Sequence, residues 1–268
     1  MKAGETYRDN IPGPLSFFTT LNGRSTVEVH GRTTNIPDHC FFLTNSTQRY
    51  TLQTTKKDAA ETFNIHFGDQ WAEGVLASFG KTESLIDDPH VLHANVAFHN
   101  KLYPKSDQLK NILTTLKVTK DQGALKRDEL LYSLMTHLLD EQNLLRQRAK
   151  QLPALRTSTR EEIARRLHLA TDYIYAHSEK AITLDELASI SCLSKFHFLR
   201  LFKQFHRATP HQFVTHLRIQ RSQELIRTRR LEIKTIASEL GFDSASTFAR
   251  LFRQQVGMYP RQYQATLA

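Results

Sequence analysis

The C-terminal part of the chain contains one pattern that is written twice, about fifty residues apart. Residues 198–202, with the sequence FLRLF, recur as residues 248–252, with the sequence FARLF. The pair Leu187-Ala188 that precedes the first copy returns as Ile236-Ala237, at an offset one residue shorter than that of the main motif. The fold must therefore accommodate two similar units, of which the second has one additional residue in its turn.

Each copy predicts two helices that meet at a tight turn. In the first copy, Thr183 followed by Glu186 matches a capping box, which starts a helix, and Ser194 can cap the next helix. In the second copy, Gly241 can take the left-handed conformation of a turn, and Ser244 can cap the helix that follows. The second helix of the first copy has apolar residues at three- and four-residue steps, which predicts one buried side. These residues are Phe198, Leu201, Phe202 and Phe205.

Small residues and two further helices complete the predicted helix-turn-helix arrangement. Ala188 and Ala237 let the two helices of each copy cross closely. Pro210 is well placed as the first residue of a helix between the copies, which would hold them at a fixed spacing. Hydrophobic residues from Ile163 to Ile174 predict a helix that braces the first unit. Cys192, in the first turn, is expected to be a small packed residue.

The positive charge is concentrated in the part that holds the repeats. Residues 156–268 contain 18 Lys and Arg against 10 Asp and Glu, whereas residues 1–155 contain 18 against 17. The net charges of +8 and +1 together give the +9 of the whole chain. A basic helical domain beside a nearly neutral one indicates a polyanionic partner for the former and another role for the latter.

The N-terminal part changes its hydrophobic pattern near Ser106. Residues 15–100 form short apolar runs with partial alternation, separated by turn residues, which predicts an antiparallel barrel or sandwich. Beyond Ser106 the period is helical, and a long helix is predicted over residues 126–151. One stripe of this helix is either a dimerisation surface, interrupted by Glu141, or the side that packs on its own barrel. The stripe consists of Leu131, Leu134, Leu138 and Leu145.

Two domains are expected. Residues 152–159 hold a proline and three hydroxyl residues and are predicted to be a linker. Residues 1–151 would then be the N-terminal domain and residues 160–268 the C-terminal domain. The two helix-turn-helix units are placed at about residues 183–206 and 233–256.

Composition and motifs exclude several other classes of protein. The two cysteines, Cys40 and Cys192, lie far apart and indicate no disulfide framework, which favours a reducing, cytoplasmic location. No run approaches the roughly 18 apolar residues of a membrane span, and residues 1–14 lack the apolar core of a signal peptide. Neither a Gly-rich phosphate loop nor a nucleophile motif occurs, so no cofactor is expected.

Residues 160–268 resemble the DNA-binding domain of the AraC/XylS transcription regulators. The most specific part is the second unit, in Gly241-Phe242, in residues 248–253, at Gly257 and in residues 260–263. The resemblance implies an α+β protein of several domains. Its N-terminal domain would be a cupin-like antiparallel β-barrel with trailing helices, and its C-terminal domain would be all α, with two helix-turn-helix units joined by a central helix.

Three positions depart from the family's pattern. Arg207 stands where glycine is usual, Tyr259 where serine or threonine is usual, and Gln264 where arginine is usual. These departures affect a helix cap and a phosphate contact. They leave the second helix of each helix-turn-helix unit, which would contact DNA, in place.

Matching the family's motif places the second helix of each unit at the DNA. Arg200 can bridge guanine O6 and N7, whereas Phe196 and Leu199 can contact only thymine methyl groups or sugars. His197 and Lys203 lie nearer the DNA backbone. In the second unit the corresponding residues are Ala245, Ser246, Ala249, Arg250 and Arg253.

Three of the residues in the second unit are small, so the first unit is expected to discriminate bases more strongly. The second unit would act mainly through Arg250, Arg253 and DNA shape. The alternative is that Arg200 and Arg250 are surface salt-bridge partners, and that Phe196 belongs to the core.

The N-terminal barrel offers an interior pocket suited to a small organic effector. His30, Arg32 and His39 are candidates for its polar lining. The histidines of this half are scattered and no His-x-His occurs, so satisfied or exposed histidines are expected rather than a metal centre.

The sequence therefore predicts a cytoplasmic, sequence-specific DNA-binding transcription regulator and not an enzyme. An activator is expected, and repression stays open as the alternative. Its implied partners are double-stranded DNA, a small-molecule effector, a second copy of the chain and RNA polymerase, and no membrane is involved. Two alternatives remain: a cupin-type enzyme with a DNA-binding appendage, and an architectural DNA binder without an effector.

Overall fold

The protein divides into two compact units, Met1–Gln147 and Arg148–Ala268. The computed structural model describes residues 8–54, 60–75, 97–119, 123–154, 156–228 and 231–267. Within these ranges, strands occur only in the first unit, and the second unit is helical. No helix within the described ranges is long and apolar enough to cross a membrane.

Two four-stranded antiparallel sheets form the N-terminal unit, with strand orders β1-β6-β3-β4 and β7-β2-β5-β8. This confirms the predicted antiparallel β-domain. In the described residues, the two sheets are not joined by hydrogen bonds into one closed barrel. The strands are β1 (Arg8–Pro12), β2 (Ser16–Asn22), β3 (Ser25–Val29), β4 (Arg32–Ile36), β5 (Cys40–Thr44), β6 (Arg49–Thr54), β7 (Glu61–His66) and β8 (Leu102–Pro104).

The central strands of the second sheet, β2 and β5, are buried on both faces. Successive strand residues point to opposite faces, and in β5 every residue is buried. On one face, the ring of Phe18 lies 4.9 Å from that of Tyr50 in the other sheet. On the opposite face, Phe41 stacks on Tyr103 at 5.1 Å, and the Tyr103 hydroxyl donates to Gln142 at 3.4 Å. The central strands therefore lie between the first sheet and the helices.

Two helices follow the strands, α1 (Asp107–Val118) and α2 (Ala124–Lys150). Ser106 caps α1 by accepting from the Leu109 amide at 3.1 Å. The long helix predicted over residues 126–151 is confirmed as α2. In its leucine stripe, Leu134 and Leu138 are fully buried and Leu145 is 6% exposed, which favours packing inside the chain over a dimerisation surface. Residues 69–75 are helical, so the prediction of strands over residues 15–100 is wrong for this segment.

The C-terminal unit is helical and confirms the predicted succession of helices. Helix α3 begins at Thr157, which lies inside the predicted linker of residues 152–159, and the domain limits set from the sequence stay a prediction. The helices are α3 (Thr157–His177), α4 (Leu184–Ile190), α5 (Lys195–His206), α6 (Pro210–Thr228), α7 (Ile233–Glu239), α8 (Ala245–Val256) and α9 (Pro260–Ala265).

Candidate DNA interface

Each helix-turn-helix unit is held in place by the caps that the sequence predicts. The Thr183 hydroxyl accepts from the Glu186 amide at 3.2 Å, and the Glu186 carboxylate accepts from the Thr183 amide at 2.8 Å. Ser194 caps α5, accepting from the His197 amide at 3.4 Å. Ser244 caps α8, and its hydroxyl accepts from the Thr247 amide at 3.1 Å. Because an N-cap satisfies an amide that lacks a helical partner, these residues determine where both candidate recognition helices begin.

The two turns differ by one residue, as the offset of the repeat predicts. Residues 191–194 connect α4 to α5, whereas residues 240–244 connect α7 to α8. Equivalent positions take the left-handed conformation, with φ 50° at Cys192 and φ 71° at Gly241. Cys192 is exposed. The prediction that it is packed is wrong, because the left-handed turn directs its side chain to solvent.

Helix α5 separates its apolar residues from its candidate DNA contacts. Phe196 is 88% exposed, which rules out its placement in the core. His197, Arg200 and Lys203 are exposed as well, while Leu199 is half-buried at the edge of this face. The opposite side consists of buried residues, namely Phe198, Leu201, Phe202 and Phe205.

Helix α8 repeats the same arrangement. Phe248 and Phe252 are fully buried, whereas four of the five predicted contacts are exposed and Ala249 is half-buried. The exposed ones are Ala245, Ser246, Arg250 and Arg253. Around them lies a depression of about 530 Å³, lined by Ser246, Ala249, Arg250, Arg253, Gln254 and Tyr259.

The arginines at the centre of the two faces are available for a ligand. Within the ranges that the structure describes, neither Arg200 nor Arg250 pairs with a carboxylate. By contrast, the Lys195 ammonium lies 2.5 Å from the Asp185 carboxylate. The interpretation of Arg200 and Arg250 as salt-bridge partners therefore lacks support.

Helix α6 contributes to the cores of both helix-turn-helix units. At its start, α6 places Phe213 edge-on against Phe202 of the first unit, with ring centroids 5.6 Å apart. Further along, Ile219 and Ile226 are buried in the core of the second unit, together with Phe248. Because core side chains are closely packed, this shared helix limits the movement of one recognition helix relative to the other.

Arg218 of α6 joins the end of α3 to the turn of the second unit. Its guanidinium donates to the carbonyls of Ser178 at 2.7 Å, Lys180 at 2.8 Å and Gly241 at 2.6 Å. Its burial lowers the pKa of Arg218, while the charges of Asp243 and Glu179 act in the opposite direction. Sequence reasoning missed this contact, because partners more than twenty residues away leave no periodic signal.

A smaller ionic cluster attaches α3 to the first turn. The Glu162 carboxylate accepts from Arg165 and Arg166, each through an Nε at 2.7 Å. Arg166 also donates to the Cys192 carbonyl at 3.1 Å. These hydrogen bonds, first from Arg165 and then from Arg166, lower the pKa of Glu162 to about 2.

The Glu162 cluster should make the free energy of unfolding depend on pH in the acidic range. A depressed carboxyl pKa stabilises the folded state above the unfolded pKa of 4.5, and this contribution disappears as the pH falls towards 2. We expect Glu162→Gln to lower the free energy of unfolding at pH 7 by less than about 1 kcal/mol, because the carboxylate is 42% exposed and screened. At pH 2 the difference should vanish.

Urea unfolding of both proteins at the two pH values measures this effect. Glu161→Gln, at the exposed neighbouring position, is the control. A Glu162→Gln variant that loses the same stability at pH 2 as at pH 7 would contradict the ionic explanation.

Of the three candidate ligand residues of the N-terminal unit, only His30 lines the cleft described for this unit. His30 is exposed in the turn between β3 and β4, where Gln48 lies 3.2 Å from its ring, and it lines an outer cleft of about 810 Å³. Neither Arg32 nor His39 lines this cleft. Arg32 begins β4, and the side chain of His39, only 10% exposed, lies 3.3 Å from Asp38.

The facing sides of the two sheets carry large apolar side chains instead. They are between 0% and 4% exposed and include Phe18, Val27, Ile36, Phe42 and Leu52. In the described ranges, no three His, Cys, Asp or Glu side chains form a group that could hold a metal ion. His90 and His93 lie outside the described residues.

Comparison with known proteins agrees with the geometry of the C-terminal unit. A family model described as a helix-turn-helix domain matches residues 187–266. The probable transcriptional regulator LumQ of Photobacterium leiognathi is 38% identical over 96 residues, which are 36% of this chain and 39% of that protein. The matched residues include both turns and both candidate recognition helices, α5 and α8.

Other similar proteins match about a third of the chain or slightly more. The regulator AlkR of Acinetobacter baylyi is 31% identical over 90 residues, 34% of this chain and 29% of that protein. A crystal structure of a regulator with an AraC-type DNA-binding domain, from Chromobacterium violaceum, is 27% identical with a TM-score of 0.37. It covers 38% of this chain and 92% of that one. The chain thus spans 39% or less of the length of these two curated relatives, which are named as transcriptional regulators and not as enzymes.

Proposed function

We propose that the chain is a sequence-specific DNA-binding transcription regulator that presents α5 and α8 to two successive major grooves. One observation carries this proposal: α5 and α8 bury corresponding apolar sides, and each exposes an opposite side that carries cationic residues. A helix fits the major groove of B-DNA, and the C-terminal part holds +8 of the net charge of +9. The shared helix α6 supports the fixed spacing that two grooves require.

The two units would read DNA differently. Arg200 can make two hydrogen bonds to one guanine, and Phe196, 88% exposed, can contact the methyl group of a thymine. In α8, Ala245, Ser246 and Ala249 offer little to a base edge, so this unit would contribute through Arg250, Arg253 and DNA shape. We call the DNA bound by α5 the first half-site and the DNA bound by α8 the second half-site. The first half-site should therefore tolerate fewer base changes than the second.

Regulation through the N-terminal unit stays a prediction. The resemblance implies a small-molecule effector, a homodimer and contact with RNA polymerase. The effector site drawn from His30, Arg32 and His39 gains no support from their positions, since only His30 lies in a cleft.

Selection of DNA by the full-length chain from a random duplex pool, at two salt concentrations, tests the proposal. We expect a defined motif with two informative patches about one helical turn, or 10 to 10.5 base pairs, apart. The patch bound by α5 should carry more information than the other. Binding that falls steeply with salt but selects no motif would instead indicate an architectural DNA binder.

A further inference from the structure

The second unit contains an arginine that is held in place before any ligand binds. Arg253 donates through Nη1 to the Tyr259 hydroxyl at 2.8 Å, and its guanidinium lies 4.8 Å from the centre of the Tyr259 ring. Both side chains are exposed, Tyr259 to 42%. Both line the depression, together with the small residues Ser246 and Ala249.

The first unit of the same chain shows how unusual this contact is. Thr209 occupies the position that corresponds to Tyr259, fifty residues earlier, and its hydroxyl caps the next helix by accepting from the Gln212 amide at 3.2 Å. In Tyr259 the hydroxyl stands at the far end of a rigid ring, so it reaches Arg253 instead. The position that corresponds to Arg253 is Lys203, and a lysine carries a flexible point charge rather than a planar fork.

We infer that Arg253 and Tyr259 form an anchor for a single backbone phosphate of the DNA, with Tyr259 as the positioning residue. This inference rests on the proposed DNA-binding function. After accepting from Arg253, the tyrosine hydroxyl still has its own proton to donate, and the guanidinium has four further N–H groups. Both kinds of donor suit a phosphate oxygen.

The location of Arg253 favours a phosphate over a base. Arg253 lies in the last turn of α8, whereas residues near the start of a recognition helix reach base edges. Arg250, one turn earlier and in the same depression, adds a second positive charge. A guanidinium that is already oriented loses less conformational entropy on binding than a flexible side chain.

Duplexes with one phosphate at a time replaced by a neutral methylphosphonate test the anchor. The full-length chain is titrated with its selected DNA site, and the dissociation constant is measured for each replacement. We expect that replacing one particular phosphate of the second half-site will weaken wild-type binding roughly tenfold. The same replacement should weaken Arg253→Gln by less than about twofold, because the charge that reads this phosphate is gone.

Two variants of Tyr259 separate positioning from folding. Tyr259→Phe keeps the ring and removes the hydroxyl, and we expect its sensitivity to that phosphate to fall roughly threefold with unchanged base preference. Tyr259→Thr copies the residue at the corresponding position of the first unit. It should retain the helix cap and the thermal stability, yet lose phosphate sensitivity as Tyr259→Phe does.

Lys203→Gln is the matched control, since it removes the corresponding cation of the first unit. It should leave sensitivity at the second half-site as in wild type. The role of Tyr259 would be overturned if wild type bound its site specifically and the phosphate replacement weakened Tyr259→Phe as much as it weakens wild type. The anchor would be overturned if wild type bound its site specifically but every methylphosphonate replacement weakened wild type and Arg253→Gln by the same factor. Failure of wild type to select a motif would instead refute the proposed function, and the anchor with it.

Discussion

Gly241→Ala should lower the free energy of unfolding of the C-terminal unit by about 3 kcal/mol. Gly241 has a φ of 71°, and an added Cβ would lie 2.3 Å from the Glu179 carbonyl oxygen. An alanine is strained at this φ, and the clash is with backbone that cannot rotate away. The carbonyls of Glu179's neighbours, Ser178 and Lys180, are also held by Arg218, which prevents easy relaxation.

A second glycine of the same unit provides the control for this prediction. Gly257 has a φ of 86°, but an added Cβ would meet no described atom within 4 Å. Gly257→Ala should therefore cost only the backbone strain, about 1 kcal/mol. Urea unfolding of the full chain, followed by far-UV circular dichroism, compares the two variants. Equal losses of stability would show that the contact with Glu179 has no energetic effect.

Arg200→Ala should reduce affinity for the selected DNA site by roughly 2 kcal/mol, or about thirtyfold. The Arg200 side chain is exposed and pairs with no described carboxylate, so its removal leaves the fold intact. A bidentate contact to guanine is specific, and binding should lose its preference for one base position while affinity for unrelated DNA changes little.

Lys203→Ala, one turn further along α5, is the matched comparison. Lys203 is also exposed, and a phosphate contact should contribute equally to every sequence. Its loss should weaken specific and non-specific binding alike and reduce the slope of log affinity against log salt by about 1. If Arg200→Ala produced this uniform, salt-dependent loss instead, the assignment of Arg200 to base recognition would be wrong.

Much of the C-terminal unit could be predicted because its signals are local. Caps at Thr183, Ser194 and Ser244 act over three residues, and the buried faces of α5 and α8 follow from helical periodicity. The left-handed turn at Gly241 follows from its lack of a side chain. The turn at Cys192 takes the same conformation without such a signal, and its exposure was therefore predicted wrongly.

The N-terminal half was harder to predict because strand pairing joins distant residues. Alternation indicated antiparallel strands, yet the division into two sheets depends on pairings such as β2 with β7. Whether a leucine stripe packs inside the chain or outside depends on neighbours from other elements, which helical periodicity does not specify. His30, Arg32 and His39 were grouped by residue type, and chemistry alone does not bring side chains together.

The sequence by itself determined the two helix-turn-helix units, the residues that each recognition helix exposes and the concentration of positive charge beside them. These properties depend on residues within one or two helical turns of each other. Only the tertiary structure decided that Arg218 joins the end of α3 to the turn of the second helix-turn-helix unit, that Gly241 lies against Glu179 and that Tyr259 holds Arg253. The first two contacts join residues that are far apart in the sequence, and the third depends on the direction in which the chain leaves α8. This geometry is set by packing rather than by spacing along the chain.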